Sequence, residues 1–195
     1  MAVDKRAALL EAAESVLVEH GLSGATVEQI TARAGVAKGT YYLYFRSKDE
    51  VVLALQQRLW DKMMQAAVDA AGRLDSDDFW GAVDAFLETV VDFDLDHRDW
   101  HRLVAQGWTP PHGQEVVNEQ QMIDLLTINI RSASERGVIA PCDEQMTATL
   151  LYRAIQGTSH QFCQGNEPID RERMLTAFKW FVRRVLSPSE GNPPD

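Results

Sequence analysis

The sequence lacks any continuous stretch of about 18 apolar residues, which excludes a membrane-spanning helix of ordinary length. It also lacks the apolar segment of a signal peptide, because Ala2 to Lys5 leads directly into a helical pattern, and we therefore expect a cytoplasmic protein. The motifs G-x-S-x-G and HExxH and a phosphate-binding glycine loop are absent, and no carboxylates are arranged as an acid and base pair. Composition and motifs therefore predict neither an enzyme nor a cofactor.

Cysteine is scarce, with only Cys142 and Cys163, and these have neither metal-binding nor redox spacing. In a reducing compartment we expect both to be thiols, with redox sensing as the minor alternative.

Positive charge is also in short supply, since 19 Lys and Arg face 29 Asp and Glu and the net charge is −10. This balance disfavours nucleic acid as a partner unless the basic residues are concentrated. Residues 1–48 hold six basic and five acidic side chains, a balance of +1, so the remainder carries −11. An acidic body with a weakly basic tip would approach a nucleic acid only through that tip.

What the chain does contain is a stretch rich in signals that start and end helices, TVEQITARAGVAKGTYYLYFRSK, at residues 26–48. Thr26 and Gln29 have the spacing of a capping box, which predicts a helix that begins at Val27. Gly35 can adopt the positive φ that closes a helix. A second, very short helix follows, and Ser47 with Glu50 repeats the capping-box pattern and opens a third.

On the short helix Tyr41 and Phe45 are four residues apart and are predicted to face inward. The side chains then left toward solvent are Lys38, Thr40, Tyr42 and Tyr44. Two helices joined by a tight turn with glycine form a helix-turn-helix, whose second helix enters the DNA major groove. Lysine and hydroxyl groups suit phosphates and base edges, although exposed tyrosines would also suit a protein partner.

The segment AGVAKGTYYLYFRSKDEVV closely resembles the DNA-binding signature of the TetR family of bacterial transcriptional repressors, over about the first 55 residues. The resemblance implies DNA contacts from Thr26, Lys38, Gly39, Thr40, Tyr42, Tyr44 and Lys48. Many relatives have Ser where this chain has Ala37. A helix cap and a phosphate contact are therefore not expected at that position.

The rest of the chain shows helical periodicity and no strand-period segment, so the predicted fold is all-α. We expect a helix-turn-helix domain at 1–46, a helical regulatory, ligand-binding and dimerisation domain at 47–187, and a disordered tail at 188–195. The helix that opens at Ser47 has apolar residues on two faces and is predicted to touch two bodies. A later helix at 79–93 should have Asp75 or Ser76 as its N-cap.

Two helices, at about 143–164 and 170–186, present more apolar surface than one small domain needs. The resemblance implies that they pair with their copies in a homodimer, through Leu151, Ile155, Thr158, Phe178, Phe181 and Val185. The alternative is that the same stripes close the core of the monomer. Gly157 inside the first of these helices favours close approach of another helix.

Aromatic and Met side chains are interleaved between residues 60 and 160 and could line an apolar pocket. The candidate residues are Trp60, Met64, Phe86, Phe93, Trp100, Met122, Tyr152, Gln156 and His160. Ordinary core packing is the alternative for each. The resemblance implies a small-molecule effector, which such a pocket would make largely apolar.

Asp94, His97 and His101 have the spacing of one helix face and could hold a metal ion. A solvated acidic face is the favoured alternative, and no metal is predicted. The combined interpretation is a dimeric DNA-binding regulator, a repressor of a palindromic operator that a small-molecule effector releases. The competing interpretation is a cytoplasmic helical ligand-binding or metal-binding protein without specific DNA recognition.

Overall fold

The computed structural model describes residues 4–75, 77–105, 118–165 and 170–187. Over these residues the regular secondary structure is entirely helical, which confirms the predicted all-α class. The helices are α1 (Lys5–Gly24), α2 (Val27–Ala34), α3 (Lys38–Tyr44), α4 (Lys48–Ala71), α5 (Phe79–Asp96), α6 (Arg98–Ala105), α7 (Asn118–Glu135), α8 (Glu144–Gln164) and α9 (Arg171–Leu186). The predicted disordered tail at 188–195 lies outside the described residues.

The described residues form two compact units, and the boundary between them falls inside α4. The N-terminal unit contains residues 4–62 and 97–105, and the C-terminal unit contains 63–75, 77–96, 118–165 and 170–187. Helix α6 therefore belongs to the N-terminal unit although it follows α5 in the chain. The functional division at residue 46 stays a prediction.

In the N-terminal unit, α1 supplies the support on which the short helices pack. One face of α1 is buried, with Leu9, Ala13 and Leu17 fully removed from solvent. The Asp4 carboxylate caps the helix by accepting hydrogen bonds from the Arg6 and Ala7 amides at 3.0 and 3.3 Å. A kink at Gly21, where φ is 73°, interrupts the helix near its C-terminal end.

The core of the C-terminal unit is built from α5, α7, α8 and α9. Its buried side chains are Leu87, Val91, Ile123, Ile130, Ala133, Ile139, Ala148, Leu151, Met174, Leu175, Phe178, Val182 and Leu186. Asp143 and Asp170 are the N-cap residues of α8 and α9, and their carboxylates accept hydrogen bonds from the amides three residues on at 2.9 and 3.0 Å. No disulfide joins Cys142 and Cys163.

The N-cap predicted for α5 was wrong in position. Asp78, and neither Asp75 nor Ser76, caps the helix, because its Oδ1 accepts a 2.8 Å hydrogen bond from the Gly81 amide. A Cβ at position 81 would lie 2.1 Å from Asp78 Oδ2, so a larger residue there would force the Asp78 carboxylate to move. Ser76 itself lies outside the described residues. None of the helices in the described chain is long and apolar enough to cross a membrane.

Candidate nucleic-acid interface

The turn between α2 and α3 is held by local hydrogen bonds that the sequence predicts. Thr26 Oγ1 accepts from the Gln29 amide at 3.2 Å, and Gln29 Oε1 accepts from the Thr26 amide at 2.8 Å, which completes the capping box. Gly35 follows α2 with a φ of 67°, and the Val36 amide donates to the Thr31 carbonyl at 3.0 Å. The capping box that starts α2 and the glycine that ends it are therefore confirmed as predicted.

Helix α3 is anchored by one fully buried aromatic residue. Tyr41 has no exposed surface, and its hydroxyl donates to the Ser47 carbonyl at 3.1 Å. Its ring lies against those of Phe45 and Tyr42, with centroids 5.7 and 5.4 Å away. Burial raises the pKa of Tyr41 to about 12, so the hydroxyl remains a donor at every physiological pH. The inward position predicted for Tyr41 and Phe45 is confirmed.

The opposite side of α3 is open to solvent. Tyr42 is 51% exposed and Tyr44 is 42% exposed, which agrees with the predicted direction of both side chains. Leu43 is 81% exposed and was missed by the sequence interpretation, which considered only polar groups and tyrosines on this face. The helical period could have found it, because residue 43 lies nearly opposite Tyr41 on a helical wheel.

The start of α3 lacks a side-chain cap. Ala37 occupies the N-cap position and makes no side-chain hydrogen bond, as expected from its departure from the usual Ser. Only its backbone carbonyl serves the first turn, accepting from the Thr40 amide at 2.8 Å. The short helix therefore depends on Tyr41 and Phe45 rather than on its cap.

Lys38 is engaged within the protein. Its ammonium donates to the carboxylate of Glu28, in the first turn of α2, and both side chains are more than half exposed. This hydrogen bond lowers the pKa of Glu28 below its ordinary value and raises that of Lys38. A phosphate that binds Lys38 must therefore compete with Glu28.

Lys48 is also engaged, and with backbone groups. Its ammonium donates to the carbonyl of Leu22 and, at 3.2 Å, to that of Ala25. The first residue of α4 thereby ties that helix to the C-terminal end of α1 and to the residue that follows it. The structure gives Lys48 a positioning role that sequence reasoning missed, and its predicted phosphate contact stays a prediction. Thr26, similarly, uses its hydroxyl within the capping box.

The nine candidate ligand residues divide between the two units. Trp60 and Trp100 lie in the N-terminal unit and the remaining seven in the C-terminal unit. Trp100 and Met122 are buried. Burial also raises the pKa of Tyr152 to about 12, against an opposing hydrogen bond from Gln156. These residues stay candidates for a ligand site, and ordinary packing accounts for the two buried ones.

The single helix face assumed for Asp94, His97 and His101 was wrong. Helix α5 ends at Asp96, His97 lies in the break, and His101 belongs to α6. The Asp94 carboxylate is buried and accepts a hydrogen bond from Ser159 Oγ. Within the described parts of the chain, no three His, Cys, Asp or Glu side chains come together as a metal site.

The residues predicted to pair two subunits differ in their exposure within the single chain. Leu151 and Phe178 are core residues of the C-terminal unit and are not available at its surface, because α8 and α9 turn these positions toward α5 and α7. Ile155 and Phe181 are half-buried, whereas Thr158 and Val185 are exposed. The pairing of two subunits through these residues stays a prediction.

Comparison with known proteins agrees with this geometry. Residues 9–55 match the family model described as bacterial regulatory proteins, tetR family. The HTH-type transcriptional regulator YvdT of Bacillus subtilis is 28% identical over 163 residues, which cover 82% of each chain. The transcriptional activator FasR of Mycolicibacterium smegmatis is 37% identical over 90 residues, 45% of this chain and 41% of FasR.

The fold is shared with SmeT, the repressor of the Stenotrophomonas maltophilia multidrug efflux pump SmeDEF. The TM-score is 0.73 at 22% identity, over 97% of this chain and 96% of SmeT. The regulatory relatives and the family match agree with a helix-turn-helix. Its second helix is anchored by the buried Tyr41 and is exposed to solvent on the opposite side. Residues 9–55 therefore carry a DNA-binding domain like that of the tetR family of bacterial regulatory proteins, and the chain is a DNA-binding transcriptional regulator rather than an enzyme.

Proposed function

We propose that this regulator is a cytoplasmic homodimeric repressor that binds a palindromic operator and is released by a small, largely apolar effector. The observation that carries the proposal is the exposed face of α3, where Tyr42, Leu43 and Tyr44 project from a helix anchored by a buried tyrosine. Such a face fits the major groove, where hydroxyl groups reach phosphates and base edges.

The shortness of α3 supports a dimer. Seven residues reach only a few base pairs, and a single copy would provide little specificity. Two copies related by a two-fold axis would read two half-sites about 34 to 36 Å apart, or a multiple of that distance, which requires a palindromic operator. The weak local charge also favours a dimer, because two tips double the number of phosphate contacts.

Exposed apolar side chains on α8 and α9 supply a surface for the pairing. Leu150 on α8 is 61% exposed and Trp180 on α9 is 67% exposed. The same two helices also expose Met146, Phe162 and Val185. A Cβ added at Gly157 would meet nothing within 4 Å, so the unit itself gives no reason for glycine there, whereas a second subunit packed closely on α8 would. An apolar surface of this kind suits a second copy of the chain.

Release by an effector would depend on α4, the helix shared by the two units. Helix α4 begins at the DNA-binding unit and continues into the C-terminal unit. An effector that prefers a half-site spacing unlike that of the operator shifts the population, and effector and DNA then weaken each other's binding by the same factor. The effector site would use the candidate residues of the C-terminal unit, which are apolar except for Tyr152, Gln156 and His160. The repressor role of SmeT supports the proposed sign of regulation, whereas FasR is an activator.

A gel-shift experiment tests the DNA-binding part of the proposal. DNA fragments upstream of the gene and its neighbours are titrated with the full chain in the presence of excess unrelated duplex, and a retarded fragment is footprinted. We expect protection of two symmetric half-sites. Protection of one asymmetric site would contradict the palindrome, and equal affinity for all fragments would contradict specific recognition.

Repression and release are tested on the same fragment. In a transcription assay with that promoter, the protein should lower transcript yield, and hydrophobic small molecules that raise its melting temperature should restore the yield. A rise in transcript on adding the protein would make it an activator. An effector-saturated protein that holds the operator as tightly as the free protein would contradict release.

A further inference from the structure

The outermost line of α3 is apolar and contains two residues. Successive residues of an α-helix are rotated by about 100°, so relative to the buried Tyr41 at 0° Gly39 lies at about 160° and Leu43 at about 200°. Gly39 is exposed, and Leu43 is the most exposed large apolar side chain of the described residues. These two residues therefore point directly away from the N-terminal unit.

The polar side chains of α3 flank this line on both sides. Lys38 and Tyr42 lie at about 60° and 100° from Tyr41, and Thr40 and Tyr44 lie at about 260° and 300°. When a helix lies in the major groove, its outermost line faces the base edges and its flanks face the two phosphate backbones. The hydroxyl and ammonium groups of α3 are thus placed for the groove walls, and the aliphatic line is placed for the floor.

Base edges in the major groove are mostly hydrogen-bonding groups. Guanine and adenine present acceptors at N7 with O6 or an amino group beside it, cytosine presents an amino donor, and only thymine adds an apolar group, its C5 methyl. A leucine pressed against a donor or acceptor would exclude water from it without replacing the hydrogen bond, which is unfavourable. Against a thymine methyl the same leucine removes apolar surface from water on both sides.

Gly39 allows the approach that this contact needs. A side chain on a helix leans over the preceding turn, so Leu43 lies over residue 39. Gly39 has no side chain to hold the helix away from the groove floor, and a Cβ there would meet nothing within 4 Å in the protein. The combination of a glycine and a leucine one turn apart lets the helix approach closely and presents one compact aliphatic group.

We propose that Leu43 contacts the C5 methyl group of a thymine in each operator half-site and makes that thymine a determinant of specificity. The inference rests on the proposed operator binding through α3 and adds to it the chemical identity of one base. Leu43 makes this choice through the methyl group alone, so the contact distinguishes thymine from uracil as well as from the other bases.

The test removes the methyl group without changing base pairing. An operator is selected from random duplex DNA with the full chain, and each thymine is then replaced singly by deoxyuridine. For the wild-type protein we expect one thymine per half-site at which this replacement weakens binding about fourfold, the value of one buried methyl group. With Leu43→Ala the deoxyuridine and thymine duplexes should bind equally, while the melting temperature of the protein stays unchanged because the side chain is exposed.

Val18→Ala on α1 provides the matched control, since it also truncates an exposed aliphatic residue of the N-terminal unit. This variant should keep the full sensitivity to deoxyuridine. The proposal is overturned if no thymine is sensitive in the wild type, or if Leu43→Ala retains the wild-type sensitivity. If selection yields no preferred duplex at all, the proposed operator recognition fails, and the inference fails with it.

Discussion

Arg183 of α9 and Asp84 of α5 face each other with two parallel hydrogen bonds, Nη1 to Oδ1 at 2.7 Å and Nη2 to Oδ2 at 2.9 Å. The Arg183 guanidinium also lies over the ring of Trp80, 5.4 Å from its centroid. Two further pairs follow along the same helices, Lys179 with Glu88 and Arg171 with Asp92. The acidic members are four residues apart, so the ladder fixes the register of an antiparallel helix pair.

The two-point geometry makes Arg183 different from a lysine at the same place. Arg183→Lys should lower the free energy of unfolding by about 1 kcal/mol, because one ammonium cannot make two parallel hydrogen bonds and lie over the Trp80 ring at the same time. The effect is small since both side chains are partly exposed. Urea unfolding of Arg183→Lys, Asp84→Asn and the double variant measures the coupling. Additive losses would contradict a direct interaction.

The pair of Arg171 and Asp92 predicts a pH dependence on the acid side. The hydrogen bond from Arg171 lowers the pKa of Asp92 below its ordinary value of 3.8, so in the folded protein Asp92 releases its proton more readily than in the unfolded chain. Its contribution to stability is present above about pH 5 and is lost as the pH falls through the folded pKa. Urea midpoints between pH 3 and 6 should therefore converge for wild type and Asp92→Asn toward pH 3.

Arg171→Gln is the matched control for that measurement, since it removes the partner and leaves the carboxyl group. It should remove the same part of the acid dependence. A difference between wild type and Asp92→Asn that stays constant from pH 6 to pH 3 would show that the pair contributes nothing through ionisation.

Tyr42 tests the hydroxyl contacts of α3. Tyr42→Phe keeps the ring that packs edge-on against Tyr41 and removes only the exposed hydroxyl, so the melting temperature should not change. Operator affinity measured by gel shift should fall about twofold to tenfold, the range of one hydrogen bond. Unchanged affinity would mean that Tyr42 does not bond to DNA.

Variants of Lys48 and Lys38 distinguish a lysine that positions the backbone from one that forms an exposed ion pair. Lys48→Met should lower the melting temperature because the Leu22 and Ala25 carbonyls lose a charged donor, whereas Lys38→Met loses only an exposed ion pair and should melt like the wild type. The salt dependence of operator affinity then tests DNA contact for each. A phosphate contact would reduce the slope of log K against log salt by about one unit. An unchanged slope for Lys48→Met would leave it a positioning role alone.

The proposed subunit interface is tested at Trp180. Trp180→Glu places a charge on the exposed face of α9 and should convert a dimer into a monomer with little change in helix content. Val68→Glu is the control, because Val68 is comparably exposed on α4 and outside the proposed interface. Light scattering after size-exclusion chromatography measures the mass. A Trp180→Glu protein that remains dimeric would contradict the assignment of this face.

Some features of the fold and the site follow from residues close in sequence. The cap at Thr26 and Gln29 and the positive φ of Gly35 depend on groups within about one helical turn, and both were predicted. The caps at Asp143 and Asp170 are equally local, and the sequence predicted the approximate starts of their helices but not the caps. The N-cap of α5 was misplaced by two to three residues, because several Asp and Ser side chains compete in that segment and only the packed geometry selects Asp78.

The sequence by itself determined the helix-turn-helix, because capping boxes, a left-handed glycine and the spacing of Tyr41 and Phe45 act locally. The tertiary structure decided which lysine binds backbone carbonyls within the protein and which apolar residues are buried or exposed. Lys48 reaches carbonyls more than 20 residues away, and Leu151 and Phe178 are buried by helices distant in the chain. Such contacts depend on how helices pack, since the periodicity of one helix gives its apolar stripe without naming the partner that covers it.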